Sequence, residues 1–66
     1  MGTVERVPEP RPKIRDVIEW YGEPDRIEET ELAPTREDVT IYPYGRLGLA
    51  IPRNRGDGAV FWLVIH

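Results

Sequence analysis

The chain has 66 residues, with nine Lys and Arg, twelve Asp and Glu, and a formal net charge of −3 at pH 7. This length predicts one small domain, because single domains rarely fold below about 40 residues without cross-links. The acidic excess argues against nucleic acid as a partner and no apolar run is long enough to span a membrane, so we expect a cytoplasmic protein that contacts neither.

The first segment is rich in proline. Residues 1–12 carry proline at positions 8, 10 and 12, and each proline removes a backbone donor and favours extended geometry. We therefore predict an extended arm over residues 1–12 and a single domain over residues 13–66. The arm is either a frayed leader or a strand-like segment, through Val4 and Val7, that docks on the sheet edge or on a partner.

A short amphipathic helix is predicted next, over about Pro12 to Tyr21. Its apolar residues recur at i, i+3, i+4 and i+7, which places them on one stripe: Ile14, Val17, Ile18 and Tyr21. Gly22 suits the left-handed position after the last turn, and Pro24 prevents the helix from continuing. Trp20 borders the stripe, so the indole either caps the core or is exposed.

Four later segments have the character of strands, and turn residues separate them. They are Arg26–Leu32, Val39–Tyr44, Leu47–Ile51 and Ala59–Ile65. A polar loop at 33–38, a tight turn or bulge at Gly45-Arg46 and a turn at 52–58 connect them. The sequence thus predicts an α+β fold, with one short amphipathic helix packed on a three- to four-stranded antiparallel sheet.

The last strand is apolar on both faces. Ala59, Phe61, Leu63 and Ile65 alternate with Val60, Trp62 and Val64. One short helix covers one face, so the other face needs a cover. We expect a protein partner, most simply a second copy in a homodimer, to bind a patch formed by Trp62, Val60, Val64, Tyr42 and Tyr44. The alternative is that the arm and the long loop fold over this face.

The inventory of catalytic side chains is nearly empty. The chain has no Ser, Cys or Gln, one Lys (Lys13) and one His (His66), so we predict neither an enzyme nor a cofactor. The acidic residues Glu28, Glu29, Glu31, Glu37 and Asp38 are interpreted as a solvated, charged edge rather than a metal site. The tripeptide Arg55-Gly56-Asp57 is interpreted as turn chemistry, and the composition also matches heat-adapted proteins.

One motif resembles a known family. The run Tyr21-Gly22-Glu23-Pro24-Asp25 after an amphipathic helix resembles the helix-to-"GxPD" junction of small outer-membrane-assembly lipoproteins of the SmpA/OmlA type and of β-lactamase-inhibitor-like domains. The later segments Tyr44–Leu49 and Gly58–Val60 are similar in element order. The resemblance implies a helix on an antiparallel sheet whose open face binds protein. The lipid-bearing cysteine is missing, so membrane anchoring is not implied.

The sequence therefore predicts a small, non-catalytic protein–protein interaction module. The alternative is a regulatory domain that binds a small molecule or an anion, in which Arg46, Arg53 and Tyr44 surround the ligand. Ligand-dependent stabilisation would distinguish the second function from the first.

Overall fold

A computed structural model describes residues 2–32 and 36–66. It has one helix and five strands: β1 (Thr3–Arg6), α1 (Ile14–Tyr21), β2 (Glu28–Leu32), β3 (Glu37–Tyr44), β4 (Leu47–Pro52) and β5 (Trp62–Ile65). The predicted polar loop at 33–38 falls partly on residues 33–35, which lie outside the described residues, while Glu37 and Asp38 open β3.

All strands form one antiparallel sheet in the order β1-β5-β4-β3-β2. The predicted α+β class is confirmed, but the sheet has five strands rather than three or four. The additional strand comes from the proline-rich segment, where Thr3–Arg6 pairs with β5. Of the two alternatives for the arm, the structure has the strand-like segment that docks on the sheet edge. Within the predicted arm, Thr3–Arg6 is therefore part of the sheet.

Backbone hydrogen bonds fix both ends of the helix. At its start, the Ile14 N–H donates to the Gly58 carbonyl (2.9 Å), and the Val60 N–H donates to the Pro12 carbonyl (2.9 Å). At its end, the Gly22 N–H donates to the Ile18 carbonyl, and Gly22 has a φ of +87°, a backbone conformation that side-chain-bearing residues rarely adopt.

The predicted GxPD junction connects α1 to the β3–β4 hairpin. The Asp25 N–H donates to the Pro43 carbonyl (2.9 Å), and the Asp25 carboxylate accepts the Gly45 N–H (3.0 Å). One residue thus fixes both the end of the helix connection and the hairpin turn.

A β-bulge interrupts the last predicted strand. Trp62 is the register partner of Ala50, and the Phe61 N–H also donates to the Ala50 carbonyl (3.0 Å), so two residues face one. The strict alternation expected over Ala59–Ile65 therefore stops at Phe61, and the regular strand is only Trp62–Ile65.

Two apolar clusters lie on the two faces of the sheet. The helix-side cluster has a buried centre of Val17, Leu49, Ile51 and Val60, with Val7, Ile14, Tyr42, Tyr44 and Leu63 packed around it. The far-side cluster has a buried centre of Leu32, Val39, Ala50 and Val64, with Ile41 and Trp62 packed against it.

Small residues of β4 explain how the far-side cluster packs. Gly48 is opposite Val64 and Ala50 is opposite Trp62. A Cβ atom added at Gly48 would lie 3.0 Å from the Cγ2 methyl of Ile41, so the neighbouring side chains fill the space that glycine leaves. Small side chains on this face therefore let large neighbours lie close to the backbone.

Candidate functional site: an apolar groove between the helix and the sheet

An open groove separates the C-terminal half of α1 from the sheet. Its volume is about 460 Å³, within the ~300–1,000 Å³ range typical of ligand pockets. Its lining residues are almost all apolar or aromatic: Val7, Pro12, Val17, Trp20, Tyr21, Tyr44, Leu47, Leu49, Val60 and Leu63. None of these described residues carries a charge at neutral pH, so the groove offers shape and apolar surface rather than ionic contacts.

The helix sequence explains why the groove is open. Val17 is buried against the sheet and Ile14 packs beside it, whereas Trp20 and Tyr21, one turn later, are 64% and 75% exposed. The two rings meet edge to face, with centroids 6.5 Å apart. The first half of the helix thus contributes to the core, and the second half places two large aromatic rings at the rim of the groove.

The sheet supplies the floor of the groove. Leu47 and Leu49 of β4 and Leu63 of β5 lie on the face that carries the helix-side cluster, and Leu49 and Leu63 are register partners. Leu47 keeps 38% of its surface exposed, as does its register partner Ile65. The apolar surface therefore extends from the groove onto the adjacent end of β5.

Tyr44 closes one end of the groove. Its hydroxyl donates to the Gly22 carbonyl at 2.7 Å, which ties the end of α1 to β3. Burial, with a smaller contribution from the negative charge of Glu23, raises the pKa of Tyr44 above its ordinary value of 10.0. The neutral phenol is thus the form that the fold holds.

The structure divides the five residues predicted to bind a partner between the two faces of the sheet. Val60, Tyr42 and Tyr44 belong to the helix-side cluster, and Val60 is fully buried there. Trp62 and Val64 belong to the far-side cluster. The bulge at Phe61 is the reason, because it shifts Val60 out of the alternation that would place it beside Trp62.

The expected exposed patch around Trp62 is also absent from the described part of the chain. Val64 is 8% exposed and Trp62 is partly buried, with its indole N–H shielded from solvent and without a hydrogen-bond partner. Arg6 of β1 lies over the indole, with its guanidinium carbon 6.0 Å from the ring centroid. Strand β1 and the neighbouring strands thus cover much of the apolar surface around Trp62 for which a second molecule was expected.

The three residues of the alternative anion site are not brought together either. Arg46 precedes β4 and Arg53 follows it, which separates them by roughly 20 Å along the strand. Arg53 is already within 3.6 Å of a Glu29 carboxylate oxygen and 3.4 Å of one from Asp38. Tyr44 directs its hydroxyl at Gly22.

A different set of cations surrounds a second depression, of about 540 Å³. Its lining includes Arg11, Lys13 and Arg55 around the ring of Phe61, together with the carboxylates of Glu9 and Asp57. The guanidinium carbons of Arg11 and Arg55 lie 4.0 Å and 4.5 Å from the Phe61 ring centroid. Sequence reasoning missed this site because the residues come from two distant segments, 9–13 and 55–61.

The Arg-Gly-Asp tripeptide is largely engaged within its own chain. The Arg55 guanidinium packs on Phe61, and the Asp57 carboxylate accepts the Ala59 N–H at 3.3 Å. These contacts agree with its interpretation as turn chemistry.

The described residues hold neither a cluster of metal-ligating side chains nor a helix that could span a membrane. Within 2–32 and 36–66, no group of three or more acidic, histidine or cysteine side chains is placed to hold a metal ion. The eight-residue α1, the helix of the described part of the chain, is too short to cross a bilayer. Comparison with known proteins found no matching family model, curated protein or solved structure. The resemblance to the SmpA/OmlA type therefore stays a prediction.

Proposed function

We propose that this protein is a small, non-catalytic interaction module that binds an apolar segment of another protein in the groove between α1 and the sheet. The observation that carries the proposal is the open groove itself, with its apolar floor and its two exposed aromatic rings, Trp20 and Tyr21. Tryptophan and tyrosine are the residue types most enriched among the residues that dominate binding energy at protein interfaces.

The chemistry of the lining favours a protein segment over a polar metabolite. Small-molecule sites combine apolar walls with a few convergent polar groups that orient the ligand. Here the Tyr44 hydroxyl is already committed to Gly22, and the floor is aliphatic, with Leu47, Leu49 and Leu63. A segment that presents aliphatic or aromatic side chains in a row matches such a surface.

The test uses peptides selected from a random library for binding to the immobilised protein. The Trp62→Phe variant leaves Trp20 as the single indole, so its fluorescence reports occupation of the groove. We expect selected peptides to carry two or more large apolar residues and to shift the Trp20 emission to shorter wavelength. Leu47→Asp should abolish binding, because it places a charge on the apolar floor.

Ile27→Asp is the matched control, since Ile27 is 59% exposed and is not among the groove residues. Equal loss of binding in Leu47→Asp and Ile27→Asp would contradict the assignment of the groove. So would selected peptides that bind without changing the Trp20 emission.

A second candidate function, binding of an anion, is favoured by the depression around Phe61. Three cations and two carboxylates line it, and Lys13 and Arg55 are in no ion pair that the structure shows for the described residues. Thermal unfolding with inorganic phosphate or citrate tests this function. A rise in the melting temperature that Arg55→Gln removes and Arg46→Gln retains would support it, and no rise at constant ionic strength would contradict it.

A further inference from the structure

The outer edge of β1 has unpaired backbone groups at defined positions. The Val7 N–H donates to the Phe61 carbonyl, and Thr3 and Glu5 are the register partners of Ile65 and Leu63. Because inward and outward hydrogen bonding alternates along an antiparallel strand, Thr3, Glu5 and Val7 direct their backbone toward β5. Val4 and Arg6 therefore direct their N–H and carbonyl groups outward, where the sheet order places no further strand of the described residues.

The two edges of the sheet differ in protection. The edge strand β2 carries three exposed glutamates, and each lies within 4 Å of an arginine, in the pairs Glu28–Arg26, Glu29–Arg53 and Glu31–Arg36. A new strand would have to displace or desolvate these six charged side chains, which discourages pairing at this edge. The edge strand β1 has the sequence Thr-Val-Glu-Arg, in which one acid and one base cancel. Charged side chains thus crowd the β2 edge, whereas the β1 edge carries only Glu5 and Arg6 and is more accessible to strand addition.

We infer that β1 pairs with β1 of a second copy, antiparallel, about a two-fold axis at Val4. In this register Val4 is opposite Val4 of the second copy, with Cα atoms about 5.5 Å apart, and Glu5 is opposite Thr3. The neighbouring register, centred on Glu5, would place two Glu5 carboxylates directly opposite each other, and like charges in that position destabilise a sheet. Electrostatics thus selects the axis at Val4.

The pairing also extends an apolar surface. Val4 is 38% exposed and is the register partner of Val64, a member of the far-side cluster. Val64 and Val4 lie side by side on neighbouring strands. With the axis at Val4, they are followed on the same face of the sheet by Val4 and Val64 of the second copy. The paired segment is only four residues long, so the dimer is weak and its melting temperature rises with protein concentration.

Val4→Pro is the sharpest test, because proline removes the outward N–H without removing a bond to β5. We expect sedimentation equilibrium to show a monomer–dimer equilibrium for the wild type and a dissociation constant raised about tenfold or more in Val4→Pro. Glu29→Pro is the matched control, because the Glu29 N–H also faces outward, from the other edge strand β2. The Arg53 N–H donates to the Asp38 carbonyl, so the backbone of Asp38 is directed away from β2. By alternation the backbone of Val39 is directed toward its register partner Thr30, and the backbone of Glu29 is directed outward. Glu29→Pro should leave the dimer unchanged.

Cysteine cross-linking gives a second readout that does not depend on a proline variant folding. The wild-type chain has no cysteine, so one introduced thiol reports one contact. Val4→Cys should form a disulfide-linked dimer under mild oxidation much faster than Glu5→Cys or Glu29→Cys.

A wild-type chain that stays monomeric at millimolar concentration would overturn the proposal. Equal effects of Val4→Pro and Glu29→Pro, or equal cross-linking rates at positions 4 and 29, would do the same. The groove residues include Val7 but none of Thr3–Arg6, so Leu47→Asp should leave dimerisation unchanged and Val4→Pro should leave peptide binding unchanged. Failure of one proposal is thus distinguishable from failure of the other.

Discussion

Val60 offers the most decisive test of the packing, because the sequence pattern predicts it in an exposed patch with Trp62 and the structure buries it completely. Val60 lies in the helix-side cluster with Val17, Leu49 and Ile51. Its N–H also donates to Pro12, so the backbone around it is fixed and does not readily move to fill a space.

Val60→Ala removes two methyl groups from a site with no exposed surface. At about 0.8 kcal/mol for each buried carbon group, the lost transfer free energy is about 1.6 kcal/mol. The cavity left behind adds to this, which brings the expected loss to about 2–3 kcal/mol. A core of this size supplies only about 3–5 kcal/mol, so the variant should unfold at a much lower urea concentration.

Urea denaturation followed by circular dichroism measures the loss. Val4→Ala is the same chemical change at a residue that is 38% exposed, and it should cost less than about 1 kcal/mol when measured at low protein concentration. A Val60→Ala variant that unfolds at the same urea concentration as Val4→Ala would refute the placement of Val60 between the helix and the sheet.

Three further predictions follow from particular contacts. Tyr44→Phe should lower the free energy of unfolding by about 0.5–1.5 kcal/mol, because it removes the hydrogen bond to the Gly22 carbonyl. The pKa of Tyr44 is raised in the folded protein, so the wild type should lose this extra stability as the pH rises above about 10 and the phenol ionises. Urea midpoints of both proteins from pH 7 to 11 measure the two effects. Trp62→Phe should change the free energy of unfolding by less than about 1.5 kcal/mol, because the loss of ring area is offset by the removal of a buried N–H that has no hydrogen-bond partner. Trp62→Ala should lower it by about 3–5 kcal/mol, and thermal unfolding measures both variants. Gly48→Val should lower the free energy of unfolding by about 1–3 kcal/mol, because the new side chain overpacks against Ile41. In a double-mutant cycle, Ile41→Ala should reduce this loss.

The sequence by itself determined the local elements. The spacing of Ile14, Val17 and Tyr21 predicts the helix, and Gly22 with Pro24 predicts its end, because helix periodicity and termination depend on residues close in the chain. Alternation and turn residues likewise predicted the β3–β4 hairpin and the antiparallel class of the sheet.

Only the tertiary structure decided which residues share a surface. A bulge at Phe61 reverses the side of Val60, and the leader forms a fifth strand that covers β5. Both outcomes depend on hydrogen bonds between segments more than ten residues apart, and composition and periodicity do not predict such bonds. The groove depends on such contacts too. The helix sequence supplies Trp20 and Tyr21 at its rim, but the position of α1 over the sheet is fixed by two distant contacts, Ile14 with Gly58 and Gly22 with Tyr44.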